Sequence, residues 1–228
     1  MPTFDATLEF SKALTEVDIL IRESASNSKN PDVQDAFNKG AILLLVAKVE
    51  AFFEHIVEEF CFRLSSRGLK CEQIPDPVRL HATRRLLNDE LLAALKHCKG
   101  EKVFPVMKDL SLLWHDGSVL KNIKVDSSFS YGKHGEAEVR RLFQRIGVDD
   151  VFETCKISDD QETLAQVSSQ PTYVVSSDVN ALTGYRNNIL HSDGTPNITR
   201  QQIEGYRARL FRFAETVDQH LDTMDRNL

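Results

Sequence analysis

Cysteine is sparse and unpaired in this 228-residue chain: Cys61, Cys71, Cys98 and Cys155 form no Cys-x-x-Cys pattern and have no ligand set close by in the sequence. That excludes a zinc site of the usual spacing and a disulfide framework, and makes a reducing, cytoplasmic setting the expectation. No apolar run approaches the roughly 20 residues that span a bilayer, and the N-terminus opens with Pro2, Asp5 and Glu9 instead of a basic-then-apolar leader. No membrane partner is expected, and the sequon-like Asn197-Ile198-Thr199 then has no role. Positive charge is also short, with 28 Lys and Arg against 34 Asp and Glu, a net charge of -6. A general nucleic-acid coat is excluded, so any RNA contact must be local. Gly132-Lys133-His134-Gly135 has neither a Gly five residues earlier nor a Ser or Thr after the Lys, so it reads as a turn and not as a phosphate loop. No repeat period and no linker interrupts the chain, and 1–228 reads as one domain.

What is present is helical periodicity. Leu8, Leu14, Val17 and Ile21 predict an amphipathic helix over 5–24. Asn30-Pro31-Asp32, an N-cap followed by Pro at the first helical position, opens a long second helix that runs to Arg67-Gly68. Its apolar positions, Ile42, Leu45, Val46, Val49, Phe52, Phe53, Ile56, Val57 and Phe60, cover a wider arc than one neighbour needs. The arc predicts packing on two sides and, through its surplus, a homodimer. Glu50 falls at the edge of that arc. There it either reaches solvent or is partly desolvated and pairs with a cation, for which Arg186 is the candidate.

Further along, Leu80, Leu86, Leu87, Leu91, Leu92 and Leu95 predict a third helix over 76–99, and Lys102 to Leu113 a short fourth. Trp114 to Gly135 is a long irregular excursion with a small hairpin. Glu136 to Ile146 is helical and stops at Gly147. Ser158 with Gln161 makes a capping box for a helix through Val167, and Pro171 to Ser177 is an extended connector. Thr199 with Gln202 caps a last helix striped by Ile203, Tyr206, Leu210, Phe213, Val217 and Leu221. The fold class is all-α, a helical bundle with an irregular insertion.

Asp178 to Asn197 holds the chemistry. With Asp178 as N-cap and Asp193-Gly194 followed by Pro196 as the stop, a helix carries Arg186, Asn187 and His191 toward its end. Arginine offers a permanent cation in a planar fork suited to phosphate, and histidine titrates near neutrality. Asn187 and His191, four apart, share a face; Arg186 and His191 are roughly 140° apart on an ideal helix, so the Arg must reach around or the last turn must loosen. A helix-end His capping carbonyls beside a surface Arg is the plainer alternative. The paired basic residues Arg84-Arg85, Arg140-Arg141 and Arg207 with Arg209 read as solvated helix faces.

The order of these features resembles the HEPN superfamily (higher eukaryotes and prokaryotes nucleotide-binding), and most closely its RiboL-PSP type prokaryotic members. The long helix Ala41 to Phe52, the segment Arg141-Leu142-Phe143-Gln144-Arg145-Ile146-Gly147-Val148, and Arg186-Asn187-Asn188-Ile189-Leu190-His191 before a polar turn and a final helix carry the match. The resemblance implies an all-α domain, commonly a homodimer, in which Arg-x4-6-His motifs from two protomers line a dimer cleft and cleave RNA without a metal or cofactor. Arg186 and His191 take the catalytic positions, with Asn187 and Glu50 in support. Family toxins silenced by modification carry Tyr two residues after the His; Asp193 stands there in this chain. The implied function is a metal-independent endoribonuclease of a toxin–antitoxin or phage-defence system, with a possible cognate antitoxin. The alternatives are a catalytically silent HEPN module that binds RNA, a nucleotide or a protein, and a purely structural dimerisation domain.

Overall fold

A computed structural model describes residues 2–121, 123, 125–129, 134–158, 172–192 and 198–228. Helix α1, Asp5–Ser26, and helix α2, Pro31–Ser66, form an antiparallel hairpin. The entry to α2 follows the expected chemistry: Pro31 begins the helix and the Asn30 side chain accepts from the Val33 amide. The start of α1 has no local cap. Its orphan amides are met from afar, where Asp218, 1% exposed, accepts from the Thr3 and Phe4 amides at 2.9 Å each. Glu59 on α2 accepts from the Ala6 amide at 2.9 Å. A helix N-terminus carries partial positive charge, so two carboxylates there satisfy both hydrogen bonding and the helix dipole.

Helix α9, Arg200–Arg226, lies against both members of the hairpin, and its capping box of Thr199 and Gln202 forms as expected. One core runs from Phe4 to Leu221. A chain of rings crosses its middle: Phe52 stacks on Phe10 at 5.0 Å, Phe53 meets Phe143 and Phe213 edge-on, and Phe213 stacks on Phe152 at 5.4 Å. These rings join α2 to α9, to helix α6, Glu136–Gln144, and to the short helix α7, Val151–Thr154. Aromatic pairs of this kind add about 0.5–1.5 kcal/mol each beyond burial.

The broad arc of α2 is covered within one chain. All nine of its apolar positions are buried by α1, α9, α6 and helix α8, Ser176–Ser192. The surplus that predicted a second copy on α2 is therefore absent, because four neighbours share the arc where the sequence pattern suggested fewer.

The middle of the chain departs further from its periodicity. Helix α3, Asp76–Arg85, passes through a π-helical turn, Leu86–Leu91, into α4, Leu92–Lys96, and α5 follows over Gly100–Leu112. Leu80, Leu87, Leu92 and Leu95 are exposed, so the leucine stripe does not serve as the buried face of one continuous helix. In the excursion no hairpin stands among the described residues; Val119 makes an isolated bridge to Lys70. Ser158 belongs to a two-residue strand, β1, Ile157–Ser158, paired antiparallel with β2, Thr172–Tyr173. The helix expected through Val167 lies outside the described residues. Among the described residues no helix is long and apolar enough to cross a membrane.

Candidate active site

Helix α8 begins two residues before Asp178, so Asp178 is not its N-cap. Its carboxylate, 4% exposed, instead accepts from Arg209 of α9 at 2.6 Å and from the Tyr173 hydroxyl at 2.6 Å. The Arg209 guanidinium sits over the rings of Tyr173 and Tyr206 at 5.1 Å from each, a cation–π arrangement that only a flat cation fills well. Burial pushes the Tyr206 hydroxyl up to about 12, so that ring stays neutral. Val179 and Leu182 are buried beside this knot. Together they fix the root of α8 against α9.

The other side of α8 holds α6. The Asn180 side-chain oxygen accepts from the Glu136 amide at 3.1 Å and so caps α6 from a neighbouring helix. Gly135, with φ of +93°, makes the turn just before it, and a Cβ there would meet the Asn180 oxygen at 3.1 Å. Only glycine meets both demands. His134 stands next to this turn and is delivered to α2 and α8 by it.

Between α2, α6 and α8 lies an open groove of about 1140 Å³. Its walls are Ala47, Glu50, Ala51 and Glu54 from α2, Ala137, Glu138 and Arg141 from α6, and Thr183, Arg186, Asn187, Leu190 and His191 from α8. Phe129 and His134 line it as well. Ala47 and Ala51 are one turn apart, and with Ala137 they keep the walls low. All four residues singled out from the sequence, Arg186, Asn187, His191 and Glu50, are on this one groove. The last turn of α8 stays helical through Ser192, so it does not loosen; Arg186 and His191 instead line a groove wide enough to take both.

The charges in the groove are unequal in availability. Glu54 accepts the Phe129 amide at 2.7 Å. Glu138, 3% exposed, is bonded to Arg141. Glu50 Oε1 lies 2.7 Å from Nδ1 of His134, so its partner among the described residues is this histidine and not Arg186. Among the described residues Arg186 and His191 make no ion pair, and they face an open space. The other arginine clusters are spent on structure: Arg140 on Asp150, Arg207 on Asp18 at 2.8 Å, and Arg209 on Asp178. Arg145 donates to the Ser128 carbonyl at 3.0 Å and pins the excursion.

His134 is the groove residue that sequence reasoning passed over. It was visible only as part of a glycine-flanked turn, and nothing in the spacing ties it to Glu50. One possible ligand cluster, Cys71, Glu72 and Asp116, comes together elsewhere. Two of its members already staple loops, with Cys71 Sγ donating to the His115 carbonyl and Glu72 accepting from the Gly117 amide.

The family model for RiboL-PSP-HEPN matches residues 8–223 of this sequence. The chain belongs to the RiboL-PSP-HEPN family. No curated protein and no solved structure matches it. Membership agrees with the all-α architecture and places the chain in a superfamily with ribonuclease and nucleotide-binding roles, whose domains often dimerise and bind RNA. Within this HEPN domain the match spans α2, α6, α8 and α9, the elements that frame the groove and hold its walls in place.

Proposed function

We propose that this HEPN protein, acting as one domain over 1–228, is a metal-independent endoribonuclease that cleaves RNA with Arg186 and His191. The observation that carries the reading is the open groove in which these two side chains stand unpaired among the described residues, while Glu50, Glu54 and Glu138 are each engaged. RNA brings its own nucleophile. His191 takes the proton of a 2′-hydroxyl as that oxygen bonds to the adjacent phosphorus, and Arg186 balances the charge on the phosphorane oxygens. The bond from phosphorus to the 5′-oxygen then breaks, leaving a 2′,3′-cyclic phosphate and a 5′-hydroxyl. Asn187, on the same face as His191, orients the RNA or the ring.

The reading includes a homodimer. Leu190, 54% exposed at the groove rim, offers an apolar contact on α8, the helix that the two copies would bring together. A toxin–antitoxin or phage-defence setting, with a cognate antitoxin covering the groove, fits an enzyme that would harm its own host. A second reading, a silent module binding RNA, a nucleotide or a protein, draws support from the three carboxylates on the groove walls and the net charge of -6, both of which weaken phosphate affinity.

The test is incubation of the purified protein with single-stranded RNA in the presence of a chelator. Cleavage with a cyclic or 3′-phosphate end is expected, with Arg186→Ala and His191→Ala inactive but folded. RNA carrying 2′-O-methyl at every position should be inert. Cutting of that RNA or of DNA, or a requirement for added Mg²⁺, would leave the binding reading in front.

A further inference from the structure

Transfer of the 2′ proton to His191 accounts for half of the proton traffic in such a cleavage; the departing 5′-oxygen also needs a proton. We infer that His134 supplies it as the general acid of the same groove, and that Glu50 is its positioning residue. This rests on the endoribonuclease reading above. The geometry that points to it is the contact of Glu50 Oε1 with His134 Nδ1 at 2.7 Å, both atoms buried and neither in hydrogen-bond geometry with the other or with any further group. Two lone pairs at that distance would repel. A hydrogen on Nδ1 relieves that repulsion, and a small rotation of the ring would bring it into line with Glu50 Oε1.

The consequence is a defined opposite edge. With Nδ1 held against the carboxylate and the side chain still 24% exposed, the accessible part of the ring is the side that carries Nε2, and it lies on the groove. A carboxylate behind an imidazole fixes its tautomer and orientation and balances the cation formed when Nε2 is protonated. Among the described residues, the titratable and charged groups that share the groove with His134 are Glu50 and Glu54 from α2, Glu138 and Arg141 from α6, and Arg186 and His191 from α8. Glu54 and Glu138 are already bonded elsewhere, which leaves Glu50 as the balancing charge.

The step balances within one chain. The bond from O2′ to phosphorus forms as His191 accepts the 2′ proton. The bond from phosphorus to O5′ breaks as His134 Nε2 gives its proton to that oxygen. Water then returns the proton from His191 and restores the one on His134. Each groove thus holds both partners of the transfer without borrowing a histidine from a second copy.

The deciding experiment compares ordinary RNA with RNA in which sulfur replaces the bridging 5′-oxygen at the cleaved linkage. A thiolate departs without a proton, so it needs no acid. His134→Ala is expected to slow cleavage of ordinary RNA by about 10²- to 10⁴-fold and to cut the sulfur substrate within a few-fold of the unaltered protein. Glu50→Gln should lose less and show the same selective rescue, with the alkaline limb of the pH–rate profile displaced. Recovery on the sulfur substrate also reports that the variants are folded. An equal loss on both substrates, or His134→Ala cutting ordinary RNA at full rate, would overturn the assignment while leaving Arg186 and His191 in place. Unchanged cleavage by Arg186→Ala and His191→Ala would overturn the underlying reading, and this one with it.

Discussion

Asp178 of α8 and Arg209 of α9 form a near-buried ion pair, with Oδ2 and Nε 2.6 Å apart, and the pair holds the helix that bears the groove's catalytic candidates. Removing one partner leaves the other desolvated and uncompensated, which typically costs about 3–5 kcal/mol. Arg209→Ala should therefore lower the melting temperature by on the order of 10 °C for a domain of this size, and Arg209→Lys should recover only part of it. The lysine keeps the charge but loses the flat stacking on Tyr173 and Tyr206. Calorimetry of the two variants checks both statements; full recovery by Lys would show that stacking contributes nothing.

Gly135 is required by conformation and by space. Gly135→Ala introduces a left-handed residue with a Cβ at 3.1 Å from the oxygen that caps α6. A loss of about 1–2 kcal/mol is expected from the backbone alone. Because His134 precedes it, cleavage should fall further than stability does. Urea unfolding beside a cleavage assay separates the two; a stable variant with undiminished stability would contradict the strain argument.

Asn187 should matter less than its neighbours. An amide can donate and accept hydrogen bonds but cannot take up a proton near neutral pH. Asn187→Ala is expected to cost about tenfold where His191→Ala costs about 10²- to 10⁴-fold. Single-turnover rates on one RNA would rank them, and equal losses would assign Asn187 more than orientation.

Acid should loosen the fold before its carboxylates are protonated. His220 is pushed below the usual 6.5 by burial, and His81 is pushed down by burial and by the nearby Arg145 and Arg84 charges. A histidine held neutral in the fold stabilises it fully above the unfolded value. That contribution is lost as pH falls below 6.5 and through the depressed folded value, because the unfolded chain binds the proton more readily. Stability measured by denaturant between about pH 7 and pH 5 should decline, and His220→Gln should flatten the decline.

The two carboxylates at the root of α1 make a similar point about reach. Asp218→Ala leaves the Thr3 and Phe4 amides without their acceptor. Hydrogen bonds to a charged group contribute about 1.5–3 kcal/mol, and a destabilisation of that order is expected in thermal unfolding.

The chain itself determined where α2 and α9 open, and its family. Asn30 with Pro31 opens α2, Thr199 with Gln202 opens α9, and both act within one turn, so no distant partner is needed to read them. The stripe on α9 and the Arg186 to His191 spacing are legible for the same reason: helical periodicity turns sequence distance directly into a face. Tertiary structure decided everything that depends on which helix packs where. It buried the full arc of α2, left Leu80, Leu87, Leu92 and Leu95 exposed, and gave Asp178 to Arg209 in place of a cap. It also gave Glu50 to His134 and left Arg186 free of an ion pair among the described residues. Those partners lie on segments far apart in the chain, and only the closing of the bundle sets their distances. Local rules carry no information about that closure.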